Sequence, residues 1–220
     1  MPLPPAPYDI DKYPHIWDCP QASVDRRHLF WMHDVLCAGG FTHALEIGCL
    51  NGASSTVFVD AINRNRLGRA TFCDIDIRSN LLVTLDCCAD PERVQTYEGC
   101  SVDLLRERND FDFVFVDGDH RLEVVRDEVE LLLRFQPTCV MAHDTGAQAG
   151  GEDDCDGPPF LKWRFQTTAP YLCLEDTAPR LAEETYRGMF LATTSPELFE
   201  AARKSLQKWG RLGDQSVDSG

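Results

Sequence analysis

No run of lysine or arginine occurs in this chain of 220 residues, and its formal net charge is −15. Phosphate backbones repel such a protein, so no nucleic-acid partner is expected. No apolar stretch reaches the length that spans a bilayer, so no membrane helix is expected either. Ten cysteines include no C-x-x-C pair, and no secretory leader is recognisable at the start. Cys49, Cys73, Cys139 and Cys173 sit inside apolar runs, and Cys87 and Cys88 are adjacent. That pattern suits buried free thiols in a reducing, cytoplasmic setting better than a disulfide framework or a zinc site. The G-x-G-x-x-G turn of dinucleotide-binding folds is missing too.

What is present is a globular composition, 43% hydrophobic and 26% charged, with length for one large core. Residues 1–20 read as a Pro-rich arm, extended over about the first 14 and either lying on the surface or disordered. One domain follows over 21–210, and 211–220 form a polar tail. Val24, Leu29, Met32, Val35 and Leu36 recur at helical spacing up to the stop at Gly39-Gly40. Strands and helices then alternate. Strands are expected at 42–49, 70–75, 94–97, 111–116 and 138–142. Helices are expected at 53–65, 79–88, 102–107 and 122–135, with Ser79 as an N-cap. In the last of these, Leu122, Val125, Val129, Leu132 and Leu133 share one face. Continuous apolar strands alternating with helices indicate an α/β fold with a parallel, doubly wound sheet. Residues 146–159 are acidic and Gly-rich without apolar period, which suits a lid loop. A helix at 160–165, strands at 171–174 and 189–192, and a helix at 196–209 complete the domain.

In an open parallel sheet, ligands bind beyond the carboxyl ends of the strands. The first strand ends in Glu46-Ile47-Gly48-Cys49-Leu50-Asn51-Gly52-Ala53-Ser54-Ser55, where glycine permits close ligand approach. Alone, that turn is also compatible with an ordinary strand-to-helix connection. The second strand delivers Asp74, Ile75 and Asp76, and Asp74 is suited to both hydroxyls of a ribose, with Asp76 as the alternative. The third delivers Gly99, Cys100 and Ser101; Ser101 either meets an adenine edge or caps the next helix. The fourth delivers Asp117-Gly118-Asp119-His120, and the fifth His143-Asp144. Asp117 and Asp144 are hard oxygen ligands suited to Mg²⁺, and His143 is a third candidate, though imidazole favours a transition metal. His120 is a candidate general base. The competing reading is a set of hydrated acids and structural histidines.

Glu46-Ile47-Gly48-x-x-x-Gly52, Asp74, Glu98-Gly99-Cys100-Ser101 and Phe113-Val114-Phe115-Val116-Asp117-Gly118-Asp119-His120 together resemble class I S-adenosylmethionine-dependent methyltransferases. With His143-Asp144-Thr145 added, the chain looks like the metal-assisted small-molecule O-methyltransferases, including those that modify macrolide sugars. The resemblance covers roughly 22–192. It implies a Rossmann-like sheet of seven strands with the last antiparallel, and S-adenosyl-L-methionine as cofactor. Cofactor contacts would come from Glu46, Gly48, Cys49, Gly52, Ser54, Asp74, Ile75, Cys100, Ser101 and Asp117. Of these, Gly48, Gly52 and Ser54 would line the methionine end, Asp74 would hold the ribose, and Ser101 would lie near the adenine. Asp117, His143 and Asp144 would hold the metal, and His120 would be the base. Two departures stand out: relatives often carry an acid where Cys100 stands and a carboxylate where His143 stands.

The implied reaction is O-methylation of a small-molecule hydroxyl, with the lid closing over the acceptor and Trp163 and Phe165 as candidate walls of its pocket. A homo-oligomer is compatible with these features. A non-catalytic cofactor-binding module and a nicotinamide-dependent reductase are the alternatives, and the missing G-x-G-x-x-G argues against the latter.

Overall fold

Short apolar runs bounded by glycines and acids build the sheet, and amphipathic segments between them cover it. The protein is described by a computed structural model, which covers residues 8–18, 26–146, 156–176 and 188–215. In chain order the elements are α1 (Arg26–Gly39), β1 (His43–Ile47), α2 (Ser55–Asn63), β2 (Arg69–Asp74), α3 (Ser79–Leu85), β3 (Val94–Glu98) and α4 (Ser101–Glu107). Then come β4 (Phe113–Val116), α5 (Leu122–Phe135), β5 (Cys139–His143), α6 (Gly157–Gln166), β6 (Leu172–Asp176), β7 (Met189–Thr193) and α7 (Pro196–Gln215).

The seven strands form one sheet in the order β3-β2-β1-β4-β5-β7-β6. All neighbours pair parallel until β7, which runs antiparallel to both β5 and β6. The expected Rossmann-like sheet with its last strand reversed is therefore what forms. Register aligns the functional ends: Ile47 lies opposite both Cys73 and Val116. Alternation splits β4 between two cores. Phe113 and Phe115 face a layer built from α1, α2 and α7, while Val114 and Val116 face α4, α5 and α6.

Most boundaries match the sequence pattern, and the differences have simple causes. The arm is not extended where it is described. Residues Ile10–Lys12 and Pro14–Asp18 form 3₁₀ turns, and Tyr8, Ile10, Tyr13 and Ile16 are buried. Tyr8 hydroxyl meets Thr56 Oγ1 at 2.5 Å, and His15 Nε2 meets Thr84 Oγ1 at 2.7 Å, so the segment is strapped onto α2 and α3. Ser79 is the first helical residue of α3 rather than its cap; Arg78 takes that position without a side-chain cap bond. Leu122 opens α5 half out of the core, and the buried stripe is Val125, Glu128, Val129 and Leu132. The last helix continues through Gln215, into the segment read as a tail. The lid assigned to 146–159 lies largely outside the described residues. Among the described residues, no helix is long and apolar enough to cross a membrane, and eight cysteines are free thiols.

Phe58 of α2 is fully buried and meets Phe72 and Phe113 edge-on, with centroids 5.7 and 5.9 Å away. Phe58→Ala should cost about 3–5 kcal/mol in urea unfolding. A loss below about 1 kcal/mol would show that this layer is not tightly packed there.

Candidate active site

The aligned strand ends enclose a cleft of about 770 Å³. Its first wall is the turn after β1. Gly48 has φ +82°, and a Cβ there would run into the backbone of Asp117 and Gly118. Glycine is required at that point because β1 and β4 approach closely. Gly48 N–H donates to Cys73 carbonyl at 2.9 Å. The Asp74 carboxylate accepts the next two amides, Cys49 N–H at 2.8 Å and Leu50 N–H at 2.9 Å. Its other oxygen accepts from Asp76 N–H at 3.1 Å. A carboxylate has about four lone-pair sites, so Asp74 keeps acceptor capacity for a ribose while it shapes the turn.

Eight of the ten residues expected around the cofactor line this cleft, and two do not. Gly48, Cys49, Ser54, Asp74, Ile75, Cys100, Ser101 and Asp117 line it. Glu46 and Gly52 are absent from its lining. Glu46 is fully buried below the turn, where it accepts hydrogen bonds from Ser54 Oγ and, at 2.6 Å, from Ser55 Oγ. It fastens the start of α2 to the end of β1. Gly52 instead lets α3 approach, since a Cβ would crowd Thr84 Oγ1 and Leu81. Asn51, a lining residue that the sequence did not mark, donates to Ile16 carbonyl at 3.2 Å and ties the N-terminal segment to the turn.

Against that turn, at the end of β4, stands the acid–histidine cluster. Asp117, His120 and Asp144 each place one ligand-type atom within 4.8 Å of the others. His120 Nε2 lies 3.9 Å from Asp117 Oδ1 and 3.6 Å from Asp144 Oδ2. Asp144 has φ +56°, a backbone region that non-glycine residues seldom occupy and that marks functional positions. Its Oδ1 is buried without a hydrogen-bond partner among the described residues.

His143 does not complete that trio; His120 takes the third corner. The imidazole of His143 is largely buried and also lines the cleft, with Nδ1 3.5 Å from Asp117 and 3.2 Å from Asp144. Its Nε2 meets His28 Nδ1 at 3.1 Å, and His28 Nε2 meets Asp176 at 3.2 Å. Arg27 also pairs with Asp176, at 2.7 Å. A buried chain therefore runs from the cleft through β5 and α1 to the end of β6. Burial disfavours charge on both Asp117 and His143, yet their mutual attraction prevails. Asp117 is held below the usual carboxylate range and His143 is raised to about 10. The Asp117 carboxylate raises the pKa of His120, burial opposes this, and Asp144 adds to the rise.

His28, Leu29 and Met32 from α1 and Met189 from β7 complete the wall near the cluster. The sequence offered one signal for His28: it stands four residues before Met32, a polar residue on the buried stripe. Asp176 offered none. Trp163 and Phe165 do not wall the cleft. Phe165 is core, and Trp163 is 55% exposed on the outer side of α6.

Residues 45–145 match the family model described as a methyltransferase domain. No curated protein matches the sequence. Among solved structures, an O-methyltransferase from Bacillus cereus in complex with SAH superposes with a TM-score of 0.65 at 16% identity, covering 86% of this chain and 92% of that one. The O-methyltransferase TomG from Streptomyces achromogenes, involved in tomaymycin synthesis and in complex with SAM, has a TM-score of 0.62 at 17% identity, covering 84% and 88%. An SAH-bound methyltransferase from Podospora anserina has a TM-score of 0.64 at 13% identity, covering 84% and 86%. At such identities the likeness is one of fold.

Glu46 carries a pH signature. Burial raises its carboxyl from 4.5 to about 8, against the Ser54 and Ser55 bonds. Between those values the folded state holds a proton that the unfolded state has released, so this residue's contribution weakens stability as pH rises from about 4.5 towards 8. Glu46→Gln should flatten that slope and gain stability relative to wild type at pH 8 more than at pH 5. Urea unfolding at both values measures it; equal differences would refute a buried protonated Glu46.

Proposed function

We propose that this chain, a class I S-adenosylmethionine-dependent methyltransferase, transfers the methyl group to a hydroxyl of a small molecule. The observation that carries this reading is the joint wall of one cleft. The Gly48 turn, Asp74 and Ser101 form the cofactor wall, and Asp117, pressed against Gly48, joins it to His120 and Asp144. Methyl transfer from a sulfonium needs a nucleophile in line with the methyl carbon, and alignment supplies much of the barrier reduction. Within the shared cleft, Gly48, Cys49 and Ser54 would seat the methionine part and Asp74 the ribose. Leu29, Met32 and Met189 give the acceptor side an apolar wall.

His120 is the base in this reading. Its side chain is 27% exposed, so it reaches the cleft, and the two carboxylates beside it stabilise the imidazolium that forms when it takes the acceptor's proton. The residues also fit a divalent ion, because Asp117, His120 and Asp144 bring ligand-type atoms within 4.8 Å of one another. Asp117 and Asp144 would hold that ion, with Mg²⁺ suited to the oxygens, and it would supply Lewis-acid activation of the hydroxyl. In this reading His143, which contacts both acids, positions them for the ion. The O-methyltransferases among the structural neighbours support an oxygen acceptor.

His120→Ala should lower kcat roughly 10²–10⁴-fold while S-adenosylhomocysteine still raises the melting temperature. Full turnover in that variant would remove the base assignment. Stabilisation by NAD but not by S-adenosylhomocysteine would overturn the cofactor reading. Loss of turnover on exhaustive chelation, restored by Mg²⁺, is expected if the ion takes part; unchanged turnover would exclude it.

A further inference from the structure

Glu128 has no place in the reaction just described, yet it is one of the two acids fully buried among the described residues. It lies on the core stripe of α5 with Val125, Val129 and Leu132. A carboxyl group there costs stability that an apolar side chain would not, unless its hydrogen bonds are made. One of them is: Ser101 hydroxyl donates to Glu128 Oε1. The other oxygen, Oε2, has no hydrogen-bond partner among the described residues. The acid is therefore a poor stabilising device, and what it does is hold the proton of Ser101.

Ser101 is the first residue of α4 and lines the cleft with Gly99, Cys100 and Ile75. A hydroxyl has one proton to donate and two lone pairs. With the proton turned inward to Glu128, Ser101 can offer the cleft only lone pairs. An amino group can donate to them, whereas an oxo group meets them lone pair to lone pair. The ionised carboxylate can only accept, which fixes the direction of the bond in that form. Burial raises the Glu128 carboxyl to about 7. A protonated carboxyl can donate to Ser101 instead, so the titrations that test the contact are run well above that pH.

We propose that Glu128 is a specificity-determining positioning residue. It fixes Ser101 as an acceptor and makes this end of the cleft select a 6-amino purine over a 6-oxo purine. This rests on the reading of the cleft as the S-adenosylmethionine site, with the base of the nucleoside beside Ser101.

The test is calorimetric titration of the full chain with S-adenosylhomocysteine and with S-inosylhomocysteine, which differ at that one group. Wild type should prefer the adenosyl compound by about tenfold or more, the scale of one mismatched hydrogen bond. Glu128→Gln keeps an acceptor oxygen and should retain the preference. Glu128→Leu frees the hydroxyl to rotate, so the preference should fall to within about threefold, mainly through tighter binding of the inosyl compound. Should that variant fail to fold, Ser101→Ala reads the same contact and should lose the preference as well. An undiminished preference in Glu128→Leu or Ser101→Ala overturns the proposal, as does a wild type that binds both compounds equally. Failure of wild type to bind either compound removes the cofactor reading itself, and this inference with it.

Discussion

The site depends on the contact between Gly48 and the backbone of Asp117. A side chain at Gly48 would occupy the space of that backbone, so β1 and β4 converge there only because the residue has none. The consequence is geometric. The amides of Cys49 and Leu50, the carboxylate of Asp74 that accepts them, and Asp117 itself are brought to one rim. Glu46 reinforces the same point from below by anchoring Ser54 and Ser55 at the start of α2. The turn is thus held from β2, β4 and α2 at once, which suits a surface that must keep its shape around a ligand.

Charge is arranged along the cleft with equal economy. Two acids and two histidines crowd together in the cleft, and like charges at such distances would repel strongly without compensation. His143 stands between Asp117 and Asp144 and removes that conflict. It is backed in turn by His28 and Asp176, which lie outside the stretch that matches the methyltransferase domain. The N-terminal helix and the late strand are therefore part of the site's support rather than additions to a finished domain. Glu128, fully buried, accepts from Ser101 in a comparable way. In both places a buried residue contacts a group that lines the cleft.

The sheet was legible because parallel strands covered on both faces are continuously apolar, and because each stopped at glycine or acid. Asp74, Ser101, Asp117 and Asp144 could be found for the same reason: they follow directly on those runs. Glu46 looked like a ligand contact because sequence adjacency to Gly48 hides the alternation of strand side chains; it points away from the rim. Gly52 looked alike to Gly48, but one meets a strand backbone and the other a helix. Trp163 and Phe165 are two residues apart on a helix, and their opposite fates, surface and core, follow from facing that no composition argument settles.

From its sequence alone the chain determined its class of fold, the order of its elements and which strand ends carry polar groups, since periodicity and strand termination are local properties. Tertiary structure decided which of those groups meet. His120 and His143 both reach Asp117 and Asp144, and only the packed arrangement brings the ends of β4 and β5 together in that way. It likewise decided that His28, Asp176 and Glu128 matter, because each acts on a residue between 27 and 148 positions away, a separation across which sequence pattern carries no information. The glycine turn from Glu46 to Ser55 could be read as a ligand cradle; that Asp117 is pressed against it is a fact of the fold.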